Sequence, residues 1–170
     1  MSRLLAACDG LSEFCGRLSA LMVIAVGFIL SYEVILRYFF LAPTSWAQDI
    51  SLTMQVWFTY LALGYVLRHR EMIRIAAVIG YLGPLGRKIA EGFALVVILV
   101  ICVLVVWLGS GIVEDSVALG RRQPTILELP NWLSELPVVI GFVLLGLQAL
   151  ADLIRLPFRP APDFKVEEAV

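Results

Sequence analysis

Two uninterrupted stretches, residues 50–67 and 93–113, contain no Asp, Glu, Lys, Arg or His. At about 1.5 Å per residue the second makes a helix of roughly 31 Å, the thickness of a bilayer's hydrocarbon core, about 30 Å. The chain of 170 residues is 61% apolar and only 16% charged. A soluble domain runs at about 45–50% apolar and about 25% charged, and one this small has too little interior to hide the surplus. These features predict an integral membrane protein built of α-helices.

The same inventory excludes other classes. A net charge of −1 with no basic domain argues against nucleic-acid binding. One histidine, His69, excludes a bis-histidine haem and leaves no basis for a histidine-rich metal site. Cys8, Cys15 and Cys102 show no CxxC spacing, so no disulfide framework or zinc site is expected. No nucleophile has a His or Lys near it within the apolar runs, so no catalysis and no cofactor are expected. Leu5-Ala6-Ala7-Cys8 has the form of a lipoprotein cleavage box. The apolar run before Cys8 is short against the about 7–15 residues of a signal h-region, so the start reads as a mature N-terminus.

Four spans are predicted, at about 18–36, 50–67, 89–113 and 133–154, within a membrane domain of residues 1–156. Pro137 fits the start of span four, where its missing N–H costs little. Four crossings put both termini and the second loop on one side. Of the 13 Lys and Arg residues, that side carries Arg3, Arg17, Arg68, Arg70, Arg74, Arg87, Lys88, Arg155, Arg159 and Lys165. The other carries Arg37, Arg121 and Arg122. The excess of positive charge assigns the first side to the cytoplasm. In the second loop, apolar residues at helical spacing predict a cytoplasmic interfacial amphipathic helix over about 71–82. Its basic face, Arg68, Arg70, Arg74, Arg87 and Lys88, would turn toward lipid head groups. The alternative is a solvated loop. Residues 157–170, with Pro160, Pro162, Glu167 and Glu168, predict a disordered cytoplasmic tail. Trp46 and Trp132 stand where interfacial anchors belong.

Polar residues within the spans are the candidate sites. Glu33 near the outer end of span one is an intramembrane carboxylate, the kind that binds ions or protons. Arg37 follows at i+4, so the two can pair locally instead. Gly16, Ala20, Gly27 and Ser31 form a stripe of small residues that lets another helix approach; one reading packs it within this chain and turns the charged edge toward a partner. Asp49, Thr53 and Gln55 in span two suit contacts between helices or with a partner, since lipid supplies no hydrogen bonds. No metal site is expected among them.

Several of these residues fall in motifs. The chain reads Tyr32-Glu33-Val34-Ile35-Leu36-Arg37-Tyr38, then Trp46-Ala47-Gln48-Asp49, Gln55-Val56-Trp57 and Arg70-Glu71-Met72-Ile73-Arg74-Ile75. Later come Leu129-Pro130-Asn131-Trp132-Leu133, Pro137 and Gly141-Phe142. Together these resemble the small membrane subunit, the dicarboxylate-type small permease, of the tripartite ATP-independent periplasmic (TRAP) transporters, over nearly the whole chain. Gln48-Asp49 departs from the family's frequent pair of glutamates, and Met72 replaces its usual histidine, with His69 out of register. The resemblance implies a subunit of the bacterial inner membrane beside a large multi-span permease that carries substrate and sodium ions. An extracytoplasmic binding protein would deliver the substrate, commonly an organic acid. The small subunit would brace the large one and help dock the binding protein. The rival expectation is a self-sufficient small ion-coupled transporter using Glu33.

Overall fold

The computed structural model describes residues 2–69 and 84–156. The predicted interfacial helix at 71–82, with Arg70 and Arg74, lies outside the described residues, as do the side chain of Arg87 and the tail at 157–170. The described residues form α1 (Ser2–Phe39), α2 (Ala47–Leu61), α3 (Leu63–Arg68), α4 (Pro84–Ala118) and α5 (Trp132–Arg155). Among them the only strand-like pairing is an isolated antiparallel bridge between Arg122 and Pro130. Ala62 does not interrupt the second crossing. Its N–H reaches the Phe58 carbonyl at 3.1 Å and its own carbonyl accepts from Val66 at 3.0 Å, so α2 and α3 run on as one span, Ala47–Arg68. Four helices are therefore long and apolar enough to cross a membrane.

The helix ends follow local chemistry. At the end of α1 the Leu36 carbonyl accepts from both Phe40 (3.2 Å) and Ala42 (3.1 Å) as the chain unwinds through Leu41, whose φ is +52°. The end of α4 uses the residue suited to such a bend. Gly120, at φ +58°, donates to Val117 while Arg121 donates to Ser116, which satisfies two carbonyls of the last turn and reverses the chain. Residues 121–131 then form a short hairpin, with Gln123 N–H on Leu129 O at 2.8 Å and Asn131 N–H on Arg121 O at 3.1 Å.

Helix α2/α3 packs between α1 and α5, the start of α1 also reaches α5, and α4 lies on the far flank of α5. Helix α5 is the most enclosed; 39% of its apolar window is buried, against 11% for α1 and for α4. The apolar core lies where α4 meets α5 beside the end of α3: Leu67, Leu95, Cys102, Leu145 and Ala149. Helix α1 buries Ser12, Cys15, Ser19 and Glu33 and half-buries Met22, Val26 and Ile29. That spacing alternates three and four residues, the period that keeps one face against a neighbouring helix.

Pro137 sits six residues into α5, buried rather than in the first turn. Its ring cannot donate to the carbonyl of Leu133, four residues back. The indole Nε1 of Trp57 on α2 supplies that bond, at 3.0 Å. One helix thereby repairs a defect in another. Trp57→Phe keeps the ring and leaves the carbonyl without its donor, so a loss of about 1–3 kcal/mol is expected in SDS-titration unfolding from mixed micelles. Pro137→Ala restores the in-helix donor and should remove most of the Trp57→Phe effect. Equal losses in both backgrounds would refute the coupling.

Candidate functional site

The polar side chains of the bundle gather at its two ends. At one end meet the start of α1, the end of α3 and the end of α5. The Arg155 guanidinium grips the Asp9 carboxylate with both arms, Nη1 to Oδ1 at 3.0 Å and Nη2 to Oδ2 at 2.8 Å. Gln148, fully buried on α5, donates to Asp9 at 3.5 Å and accepts from Ser12 Oγ at 2.9 Å. Arg68 Nη1 donates to the Asp9 backbone carbonyl at 2.8 Å and to Glu13 Oε2 at 3.1 Å. Glu13 also holds Arg17 at 3.2 Å. Three separate segments are thus tied by charge-assisted bonds, the stronger kind.

This cluster changes the reading of Arg68. The sequence placed it on a basic face toward head groups, but its side chain turns into the bundle between Asp9 and Glu13. The carboxylates of α1 provide the reason: a helix of 38 residues, rather than one starting at residue 18, brings Asp9 and Glu13 alongside it. Lys88 is half-buried on α4.

At the opposite end, Glu33 is buried and its carboxylate is divided. Oε1 accepts from Arg37 Nη2 at 2.7 Å and Nε at 3.1 Å. Oε2 accepts the Thr44 backbone N–H at 3.0 Å and the Thr44 hydroxyl. The carboxylate straps the loop between α1 and α2 onto the helix, and its acceptor sites are occupied by protein donors. This corrects the expectation that the Glu33 edge faces a partner. Glu33 ends the buried face of α1, and only Arg37, half-exposed, reaches the surface.

The small-residue stripe divides in the same way. Gly16 packs against the Tyr65 ring, and a Cβ there would overlap it. Ala20 and Ser31 are exposed, and Gly27 has nothing within 4 Å of an added Cβ. The stripe as a whole does not pack within this chain, because the buried face of α1 runs one residue to its side, through Cys15, Ser19 and Val26.

On α2, Asp49 and Thr53 are buried and Gln55 is exposed. Asp49 Oδ2 accepts the Leu127 backbone N–H at 3.1 Å, and Thr53 Oγ1 donates to the Asp49 carbonyl at 2.9 Å. The loop between α4 and α5 is docked on the start of α2 by that carboxylate, and it is tied to the first turn of α5 by Gln123 Nε2 on Ser134 Oγ at 2.7 Å. Trp46 and Trp132 open α2 and α5 at this same end, 39% and 36% exposed.

Sequence reasoning missed Asp9, Ser12, Glu13, Gln148 and Trp57 as contributors. One signal was available: Gln148, Asp152 and Arg155 follow at i, i+4 and i+7 on one face of span four. Chemically, the clusters pair charges and fasten segments. No group of three or more His, Cys, Asp or Glu side chains that could hold a metal occurs among the described residues. An apolar groove of about 560 Å3 runs along the α4–α5 seam, lined by Leu99, Val103, Trp107, Phe142 and Leu147 among others.

Comparison with known proteins gives this arrangement a context. The family model for the DctQ component of the tripartite ATP-independent periplasmic transporters matches residues 20–158. The chain is also 22% identical over 137 residues to the isethionate TRAP transporter permease protein DctMQ of Oleidesulfovibrio alaskensis. That alignment covers 77% of this chain and 21% of the relative, so the chain spans about a fifth of that protein's length. With four membrane-crossing helices and a family match over most of its length, the chain belongs to the DctQ family of TRAP transporter components.

Proposed function

We propose that this chain is the accessory small permease subunit of a sodium-driven tripartite importer, bracing a large membrane subunit and helping dock an extracytoplasmic binding protein. The observation that carries the reading is the disposition of charge and surface. The carboxylates of Asp9 and Glu33 are engaged by donors of this chain, and Asp49 holds a loop. Asp9 and Glu33 have both oxygens engaged in this way, so neither is left free for a moving ion. Meanwhile the flanking helices α1 and α4 carry exposed apolar side chains along their length, among them Leu21, Phe28, Val103 and Trp107. Beside them the exposed Gly27 and Ser31 offer the close approach that helix association in lipid requires. A large permease seated on the α1 flank would use its apolar side chains and this close approach together.

The family supports a transporter subunit, and the permease relative, of which this chain spans about a fifth, supports a large membrane partner. The relative's isethionate points to a small organic acid as the transported class. The charge bias of the loops supports a bacterial inner-membrane orientation with both termini cytoplasmic. That puts the Glu33 and Asp49 end, with its docked loops, on the side where a binding protein would arrive.

Reconstitution tests the reading. Liposomes holding this chain alone should show no sodium-dependent uptake above empty vesicles. Uptake should appear when a large permease partner and a binding protein are added. Solute flux from the isolated chain, abolished by Glu33→Gln, would replace the proposal with a self-sufficient carrier.

A further inference from the structure

Beyond the ion-pair clusters lies a pocket of about 210 Å3 where α4 ends and the hairpin begins. It is lined by Ser116, Val117, Arg121, Arg122, Pro130 and Trp132. The Gly120 turn sets Arg121 directly after the helix, and the bridge between Arg122 and Pro130 holds the second arginine in place. Arg122 meets Glu128 only at 3.9 Å, with both side chains about two-thirds exposed. The Ser116 hydroxyl is fully buried and has no hydrogen-bond partner. That hydroxyl is closed off from the pocket, so the donors within reach of an occupant are those of the exposed Arg121 and Arg122, and two cations with so little carboxylate beside them are short of an acceptor.

Depth and wall chemistry indicate which acceptor. Ser116 lies three residues beyond the charge-free run 93–113, about 5 Å of helix. That is the level of head groups, and the half-exposed Trp132 indole is suited to it. Val117, 58% exposed, Pro130 and Trp132 form an apolar wall beside the cations. We propose that this pocket binds a membrane phospholipid by its phosphodiester, with Arg121 and Arg122 donating to the non-bridging oxygens and the apolar wall receiving the glycerol end of the acyl chains. A phosphodiester offers two such oxygens, and guanidinium groups match them well. A free anion would leave the apolar wall unused. Glu114 and Asp115 are exposed on the same helix end and lower the local potential, so the shared phosphodiester, rather than a net negative head group, is what the site reads.

The test uses the purified full chain, delipidated in detergent and titrated in native mass spectrometry. The probes are phosphatidylethanolamine, phosphatidylglycerol and diacylglycerol, which lacks the phosphate. Both phospholipids should bind, with diacylglycerol at least about tenfold weaker. Arg121→Ala/Arg122→Ala should weaken phospholipid binding about tenfold while leaving diacylglycerol unchanged. Arg121→Ala and Arg122→Ala singly should each weaken it severalfold, and Arg17→Ala, at the other end, should not change it. Circular dichroism confirms that each variant is folded, and the single arginine variants decide the matter if the double variant is not. Three results would overturn the proposal: variants that bind phospholipid like the parent, competition by millimolar inorganic phosphate, or a double variant that loses a copurifying protein while keeping its lipid.

Discussion

Gly141→Ala is expected to cost about 3 kcal/mol or more in SDS-titration unfolding, the largest loss from a methyl added at any of the described glycines. Helix α5 crosses α2 at that residue, and a Cβ there would lie 2.5 Å from the Tyr60 carbonyl oxygen and 2.7 Å from the Tyr60 Cβ. The obstacle is backbone, so no rotamer change relieves it and the two helices must separate. Overpacking of a tight core costs about 1–3 kcal/mol and sometimes more. Here separation also loosens the dispersion contacts that hold helices together in lipid. The matched control is Gly27→Ala. Nothing lies within 4 Å of its added Cβ, so it should be neutral, or favourable by up to about 1 kcal/mol from helix propensity. Similar losses at the two positions would show that α5 and α2 do not meet at Gly141.

Arg155→Ala is the second large effect, at about 2–3 kcal/mol. It strips both arms from Asp9 and leaves that carboxylate beside buried Gln148 with the more distant Arg68 side chain, 3.9 Å away. Breaking a fully buried pair costs about 3–5 kcal/mol. The side chains here are 20% and 22% exposed, so solvent screening lowers the figure. Asp9→Asn combined with Arg155→Gln removes both charges and should recover part of the loss. A double-mutant cycle over Asp9 and Arg155 is expected to show coupling of at least about 1 kcal/mol. Strict additivity would mean the pair does not fasten α1 to α5.

How much of this was legible in the sequence differs by residue. The four crossings follow from runs such as 93–113 because lipid tolerates no stray charge, whatever the neighbours. Glu33 and Arg37 were legible as a pair because four residues is a helical neighbour distance. The Thr44 strap was not, since it joins side chains through a turn whose shape depends on Leu41 adopting φ +52°. Pro137 announced a missing donor, but nothing local identified Trp57, 76 positions away from Leu133, as its replacement. The stripe from Gly16 to Ser31 was a true periodicity with more than one use. Periodicity gives a face but not its partner, and Tyr65 claims only one end of it.

Composition and charge spacing, acting through the bilayer, determined how many helices cross, how they alternate and which loops carry the positive charge. These are one-dimensional constraints, enforced residue by residue by the cost of placing charge in hydrocarbon. The tertiary structure decided which side chains are spent inside the bundle and which remain for a partner. That choice turned Arg68 inward, divided Glu33 between Arg37 and Thr44, and left Gly27, Trp107 and the arginines of the 121–131 hairpin outside. It depends on helix rotation and close crossings such as Gly141 against Tyr60, and those are settled only when all the helices pack at once.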